Sequence, residues 1–161
     1  MLKRNFSKQQ NEWSHTEGTD INVSKTKVML FSSHSEKAHI KIKGHFVENV
    51  NSFKYLCVVL DPKLNFTMQT DYAVGKAKRA SAKVYRLIHG DKGLPVSVGI
   101  NLFKTLIRPH MEYGIPVWAS IAEKDLVTLE NVQTQCLRRI IGAKAHSSSS
   151  AVEVVAGILP F

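Results

Sequence analysis

The chain has 161 residues, with 22 basic side chains against 13 acidic ones and a formal net charge of +9. Hydrophobic residues make up 43%, which excludes a disordered tail, a collagen-like repeat and a disulfide scaffold. The two cysteines, Cys57 and Cys136, stand far apart, which predicts buried, unbridged thiols in an intracellular compartment, nuclear or cytoplasmic. No apolar run is long enough to span a bilayer, so no membrane partner is expected.

The positive charge is concentrated in one part of the chain. Residues 75–110 hold eight basic residues and a single acidic one, Asp91, which gives +7. Residues 1–74 give +3 and residues 111–161 give −1, so the three parts add up to +9. Such clustering is typical of a polyanion-binding surface and predicts a nucleic-acid partner. The alternative is an ordinary solvated face.

The first part of the chain predicts short strands. Residues 1–20 form a polar segment with one short helix, Gln9–His15. In residues 38–43, Ile40 and Ile42 alternate with polar side chains, which indicates a half-buried strand, and Gly44 then allows a tight turn. Asp61-Pro62 is a turn signal that ends the last strand. The predicted strands are 27–32, 38–43, 46–50 and 53–60.

From residue 67 onwards the hydrophobic period becomes helical. The first helix, 68–90, is expected to bury Ala73, Ala77, Ala80, Val84 and Leu87. Pro95 is placed to start a second helix, with Val96, Ile100, Phe103 and Ile107 facing inward, and Pro109 and Pro116 are expected to break or kink the chain. A third helix is expected to begin with a Ser120–Glu123 capping box and to end at Gly142. Its apolar face is Leu126, Leu129, Cys136, Leu137, Ile140 and Ile141.

Strands come first and helices second, which predicts the α+β class: a small antiparallel β-sheet followed by a helical bundle. The expected division is a polar segment 1–20, a β region 21–66 and a helical region 67–161. The serine run 147–150 is interpreted as a linker, with Ser150 and Glu153 capping a last short helix.

Four cations form a stripe on the first predicted helix. At about 100° per residue they fall within an arc of about 80°, and no acidic residue interrupts residues 75–89. A solvated stripe usually carries partners of opposite sign four residues away. These residues are the candidate nucleic-acid contacts: Lys76, Arg79, Lys83 and Arg86.

Catalytic patterns are missing from the sequence. It contains no Gly-rich phosphate loop, nucleophile elbow, zinc spacing or Asp-Asp pair. The closest acidic pair, Glu123 and Asp125, lies in the first turn of a predicted helix, where acidic side chains complement the helix dipole. We therefore expect no metal site and no enzymatic activity from this chain alone.

Several segments in order resemble the reverse transcriptase of non-LTR (LINE-type) retrotransposons, in its palm-end and thumb region. Residues 21–31 contain the Asn-x-x-Lys-Thr core that follows the catalytic aspartates in that family, and 53–61 resembles its primer-grip strand. Residues 106–118 resemble the thumb signature and 129–142 the next helix. The resemblance covers about residues 10–161.

The resemblance implies a piece of an RNA-directed DNA polymerase, with part of the palm plus the thumb. It implies an accessory role for Lys25 near the incoming nucleotide. The helix with Lys76 to Arg86 would lie on an RNA–DNA or RNA template–primer duplex. The segment that would match the primer grip is Phe53, Lys54, Tyr55 and Leu56.

Two departures qualify the resemblance. Cys57 stands where the family usually has glycine, which would allow close backbone approach. The aromatic-Ala-Asp-Asp motif is absent, and so are the fingers and the rest of the palm. We therefore expect Mg²⁺ only in an intact polymerase, and residual template–primer binding here. The alternatives are a non-catalytic helical protein-interaction module, or an unstable product with no nucleic-acid role.

Overall fold

The structure is a computed structural model, and it describes residues 16, 18, 21–31, 38–89 and 93–161. The chain divides into two compact units. The first comprises Met1–Tyr55 and Leu60–Leu64, and the second comprises Leu56–Val59 and Asn65–Phe161. The expected helix Gln9–His15 lies outside the described residues. The boundaries expected from the sequence, after residues 20 and 66, stay a prediction.

The α+β class is confirmed, although the strands are shorter than expected. The described strands are β1 (Lys27–Val28), β2 (Lys41–Ile42), β3 (His45–Phe46), β4 (Glu48–Asn49), β5 (Phe53–Tyr55) and β6 (Val58–Leu60). Within the described ranges they form three two-stranded ladders: β1 with β4, β2 with β3, and β5 with β6. The β1–β4 pair is parallel, so the expectation of one antiparallel sheet was too simple.

The β2–β3 hairpin confirms the turn expected at Gly44. Lys41 pairs with Phe46 and Ile42 with His45, which leaves Lys43 and Gly44 as a two-residue loop. Both loop residues have positive φ, 49° and 80°, as a type I′ turn requires. Ile42 is buried while Lys41 is exposed, so the expected alternation is present.

The segment 53–60 is not one strand, as expected, but two strands joined by a turn. Leu56 and Cys57 lie between β5 and β6 with φ of 44° and 66°. Two consecutive residues with positive φ again match a type I′ loop, which glycine and asparagine favour. A glycine at residue 57 would adopt this backbone conformation without strain. Cys57 is also exposed, contrary to the expectation of two buried thiols, and Cys136 is buried.

The second unit is helical. Its elements are α1 (Thr67–Ile88), α2 (Val96–Leu102), a π-helical segment (Phe103–Ile107), α3 (Arg108–Glu112), α4 (Ile115–Trp118), α5 (Glu123–Ile141) and α6 (Ser149–Ala156). α1 packs against α3, the π segment and α5, so it is the central element of this unit. None of the helices described here combines the length and apolar character needed to cross a membrane.

The buried face of α1 differs from the expected stripe at two positions. Ala73, Ala77 and Val84 are buried as expected. Ser81 and Ile88 occupy the core face where Ala80 and Leu87 were expected, and Leu87 is exposed. The 3.6-residue period allows either set, and the choice depends on which neighbours pack against the helix.

The helical run 96–112 contains Pro109 without ending there, and a π-helical segment lies just before that proline. A proline inside an α-helix lacks one amide donor and collides with the carbonyl four residues earlier. Widening the preceding turn to a π-helix is a common way to accommodate such a defect. Phe103 and Ile107 are buried as expected, whereas Val96 is exposed and Ile100 half-buried.

The ends of α5 and α6 correct two expectations. The N-cap of α5 is Ala122, without a side-chain hydrogen bond, so the Ser120–Glu123 capping box was wrong. Gly142 ends the helix as expected, with φ of 71°. α6 begins after Ser148, so two of the four serines interpreted as a linker are helical. The α5 face is buried at Leu129, Cys136, Leu137 and Ile140, and half-buried at Leu126 and Ile141.

Candidate nucleic-acid interface

The four predicted nucleic-acid contacts lie on α1, the central helix of the second unit. Its core face docks on the other helices because small residues allow close approach: Ala73 is 1% exposed and Ala77 is fully buried. The adjoining flank carries the cations at one-turn spacing. Arg79, Lys83 and Arg86 are exposed, and Lys76 is half-buried. The helix therefore holds the cations on a rigid support.

No carboxylate neutralises this flank within the described part of the chain. The salt bridges there join Lys27 to Glu48 and Arg108 to Glu112, so none of the four stripe cations is in an ion pair. Lys76 instead places its ammonium nitrogen 4.9 Å from the centre of the Tyr72 ring. A cation–π contact orients the lysine and leaves its positive charge in place. The stripe is thus a surface of positive charge that no described carboxylate compensates.

Three of the four cations border a groove of about 400 Å³ beside α1. Lys76, Arg79 and Lys83 lie along it, whereas Arg86 is not part of its lining. The remaining lining residues are Ala80, Val84, Leu87, Leu106 and His110. The lining of the groove therefore combines aliphatic and basic side chains.

A second hollow of about 250 Å³ shares Lys76 and His110 with this groove. It is richer in aromatic side chains, since Tyr72 and Tyr113 both line it, and the exposed Cys57 lies at its border. Leu106, His110 and Tyr113 lie in the segment 106–118 that resembles the thumb signature, but the sequence did not place them beside the stripe, because they follow Arg86 by 20 to 27 residues. Only the packing of α3 and the π segment against α1 brings them to the stripe.

The predicted primer-grip residues are all exposed. Phe53, Lys54 and Tyr55 form β5 in the first unit, and Leu56 opens the following turn. Within the second unit, the Leu56 carbonyl accepts a hydrogen bond of 3.0 Å from the Tyr113 hydroxyl. Lys25 ends a short 3₁₀ turn, Val23–Lys25, in the first unit, and its side chain is exposed. The functional assignments of these residues stay predictions.

The opposite side of α1 carries a different polar cluster. The Arg139 guanidinium lies over the Tyr85 ring at 5.3 Å, in a hollow of about 280 Å³ that Lys78 and Ser81 also line. Burial raises the pKa of the Tyr85 phenol above 10.0, and a hydrogen bond with Cys136 adds to the rise. The phenol therefore stays protonated at neutral pH and acts as a fixed packing and hydrogen-bonding group.

The described residues do not fit a two-metal polymerase centre. Such a centre needs carboxylates that converge on both ions. No group of three or more His, Cys, Asp or Glu side chains able to hold a metal occurs in the ranges that the structure describes. The buried Asp125 accepts a hydrogen bond of 3.0 Å from the Thr67 hydroxyl, which ties α1 to α5. The expectation that Mg²⁺ belongs only to an intact polymerase stays a prediction.

Comparison with known proteins connects the chain to retrotransposon polymerases. It is 24% identical over 143 residues to the RNA-directed DNA polymerase from mobile element jockey of Drosophila melanogaster. This match covers 88% of the chain. It is also 24% identical over 142 residues to the probable RNA-directed DNA polymerase from transposon X-element of the same fly. The jockey polymerase of Drosophila funebris is 23% identical over 143 residues.

The chain spans about 16% of the length of these curated relatives. No protein-family model matches it, and no solved structure matches it either. The three matches agree with the family resemblance expected from the sequence. The chain is a distant relative of the reverse transcriptases of non-LTR, LINE-type retrotransposons.

Proposed function

We propose that the second unit binds the phosphate backbone of nucleic acid through α1, as the thumb part of a reverse transcriptase does on its template–primer duplex. One observation carries the proposal: four cations share one flank of α1, without a salt bridge to any described carboxylate. Clustered, uncompensated charge on a rigid helix attracts a polyanion far more strongly than the same charges spread among acids.

The spacing of the cations suits a backbone contact. Residues three or four apart on a helix lie about 5 Å apart along its axis, which is comparable with the separation of phosphates along a strand. Lysine and arginine neutralise phosphates without reading base identity, so the contact is expected to be independent of sequence. Release of condensed counterions then makes the affinity fall steeply with salt concentration.

We also propose that this chain by itself does not polymerise nucleotides. Phosphoryl transfer by two metals needs acidic ligands that converge, and the described residues offer no such group. A primer-extension assay with the chain, an RNA template, a DNA primer and magnesium should give no product. Incorporation of a nucleotide above the protein-free background would contradict this part of the proposal.

The binding part is tested by titrating a labelled RNA–DNA hybrid with the wild-type chain and a charge-removed variant. The variant replaces Lys76, Arg79, Lys83 and Arg86 by glutamine, which preserves length and helix propensity. Loss of four phosphate contacts should weaken binding about a hundredfold or more at low salt.

A matched control removes cations elsewhere in the second unit. Lys124 and Lys144 are exposed and lie outside the stripe. Replacing both by glutamine should leave the affinity within about twofold of the wild type. If both variants lost the same affinity, the stripe would contribute only through the net charge of the chain and would not be a specific contact surface. No binding by the wild-type chain would favour the alternative of a protein-interaction module.

A further inference from the structure

We infer that the groove beside α1 takes an unpaired strand of nucleic acid, with a base resting on its aliphatic side chains and the adjoining phosphates on its cations. The inference rests on the proposed function and specifies which form of nucleic acid the same surface binds. Binding to a duplex backbone does not require apolar surface, yet the groove provides it. Four of its lining residues are aliphatic: Ala80, Val84, Leu87 and Leu106.

Two of these side chains are open to solvent. Leu87 is 55% exposed and Leu106 is 48% exposed, and both line the groove among the cations. The sequence pattern predicted Leu87 in the core, but Ile88 takes that place. Large apolar side chains left together at the surface mark a binding site more often than isolated ones do. Leu87 and Leu106 therefore offer apolar surface to a partner beside the cations.

A duplex does not offer such a surface beside its phosphates, because its bases are paired and stacked inside. An unpaired strand does, since its bases are free to leave the stack and contact protein. Proteins that bind single strands combine a positive groove along the backbone with apolar or aromatic surfaces for the bases. The groove has both features within one cavity of about 400 Å³.

The neighbouring hollow extends the same combination. It shares Lys76 and His110 with the groove and adds the rings of Tyr72 and Tyr113. Lys76 covers the Tyr72 ring, while Tyr113 is 53% exposed and is held by its hydrogen bond to Leu56. A fixed, accessible aromatic ring stacks a base at little entropic cost. This aromatic surface favours a strand over an acidic peptide as the occupant.

The test compares two probes, an oligodeoxythymidylate of about 12 nucleotides and an RNA–DNA hybrid of the same length. Leu87→Gln and Leu106→Gln are combined in one variant, which removes two aliphatic side chains from the lining of the groove and keeps every cation. We expect the affinity for the single strand to fall about tenfold and the affinity for the hybrid to stay within about twofold.

Val127→Gln is the matched control, because Val127 is an exposed aliphatic residue on α5 outside the groove. It should change neither affinity. The single variants Leu87→Gln and Leu106→Gln should each give part of the loss, and circular dichroism checks that they remain folded. An unchanged single-strand affinity, or equal losses for both probes, would overturn the inference.

Different results would contradict the backbone proposal and the groove inference. If the wild-type chain binds the hybrid but Leu87 and Leu106 do not affect the single strand, the groove inference fails and the backbone proposal stands. If the wild-type chain binds neither probe, both fail. A competition experiment tests for a protein partner. If a leucine-containing acidic peptide displaces the bound single strand at a lower concentration than unlabelled oligodeoxythymidylate does, the groove binds a protein partner and the inference is overturned.

Discussion

The Tyr113 hydroxyl donates a hydrogen bond of 3.0 Å to the carbonyl of Leu56, a residue with positive φ. Tyr113 follows the end of α3, whereas Leu56 lies in the tight turn after β5. Leu56 and Cys57 are both in the left-handed region, which costs a residue other than glycine about 1 kcal/mol. The hydrogen bond from Tyr113, which lies 57 residues later in the sequence, thus stabilises an unfavourable turn beside the aromatic hollow.

Replacing Tyr113 by phenylalanine tests the contribution of this hydrogen bond. The ring stays and only the donor is lost, at a partly exposed site, so the free energy of unfolding should fall by about 0.5–1 kcal/mol. Urea unfolding measures the change. Tyr55→Phe removes the hydroxyl of a tyrosine of similar overall exposure in β5 and serves as the control. No difference between the two variants would mean that the contact contributes nothing to stability.

Cys57→Gly should stabilise the protein. Residue 57 has φ of 66°, so glycine removes the steric cost of the side chain, and this gain exceeds the added entropy of the unfolded chain. We expect a net increase of about 0.5–1 kcal/mol in the free energy of unfolding. Cys57→Ala is the matched control, since it removes the thiol and keeps Cβ. If alanine stabilises as much as glycine, the thiol rather than the backbone is responsible.

Gly99→Ala should destabilise the second unit. A Cβ atom at residue 99 would lie 2.8 Å from Cγ2 of Ile140 and 3.0 Å from Cδ1 of Ile88. The Ile140 methyl is on a branched carbon and has little freedom to move, so overpacking should cost about 1–3 kcal/mol.

Combining Gly99→Ala with Ile140→Ala tests the cause of that loss. The second change removes the opposing methyl, so the double variant should lose less stability than the sum of the two single variants. Additive losses would show that the clash with Ile140 does not limit the fit of α2 against α5. Thermal unfolding of the wild type, the two single variants and the double variant gives the four stabilities that this double-mutant cycle compares.

Stability at alkaline pH should depend on Tyr85. Burial raises the pKa of its phenol in the folded chain above the ordinary value of 10.0, so folding favours the protonated form. This contribution is complete below pH 10 and is lost as the pH rises through the folded-state pKa. Tyr85→Phe should therefore show a smaller loss of stability between pH 9 and 11 than the wild type. A parallel decline in both proteins would contradict the assignment.

The sequence predicted most of the fold because its signals are local. The period of the apolar residues located α1, and Gly142 ended α5, since each depends on neighbouring residues. The capping box at Ser120 failed because the helix starts at Glu123, after Ala122. The exchange of Leu87 for Ile88 on the core face depends on which helices pack against α1, and the local pattern does not specify them.

The candidate site was predicted only in part for the same reason. The stripe of cations lies within eleven residues of one helix, so its period is visible in the sequence. Leu106, His110 and Tyr113 join it through tertiary packing across a π-helical segment, which no local pattern indicated. The turn at 56–57 was missed because Leu and Cys are uncommon at positive φ, and the segment reads as a continuous apolar strand.

The central claim is that α1 meets phosphates through Lys76, Arg79, Lys83 and Arg86. The most direct test is the slope of log binding constant against log salt concentration for an RNA–DNA hybrid, measured for the wild type and the four-glutamine variant. If all four cations neutralise phosphates, the variant slope should be flatter by about three to four units. An equal slope in both proteins would contradict the claim.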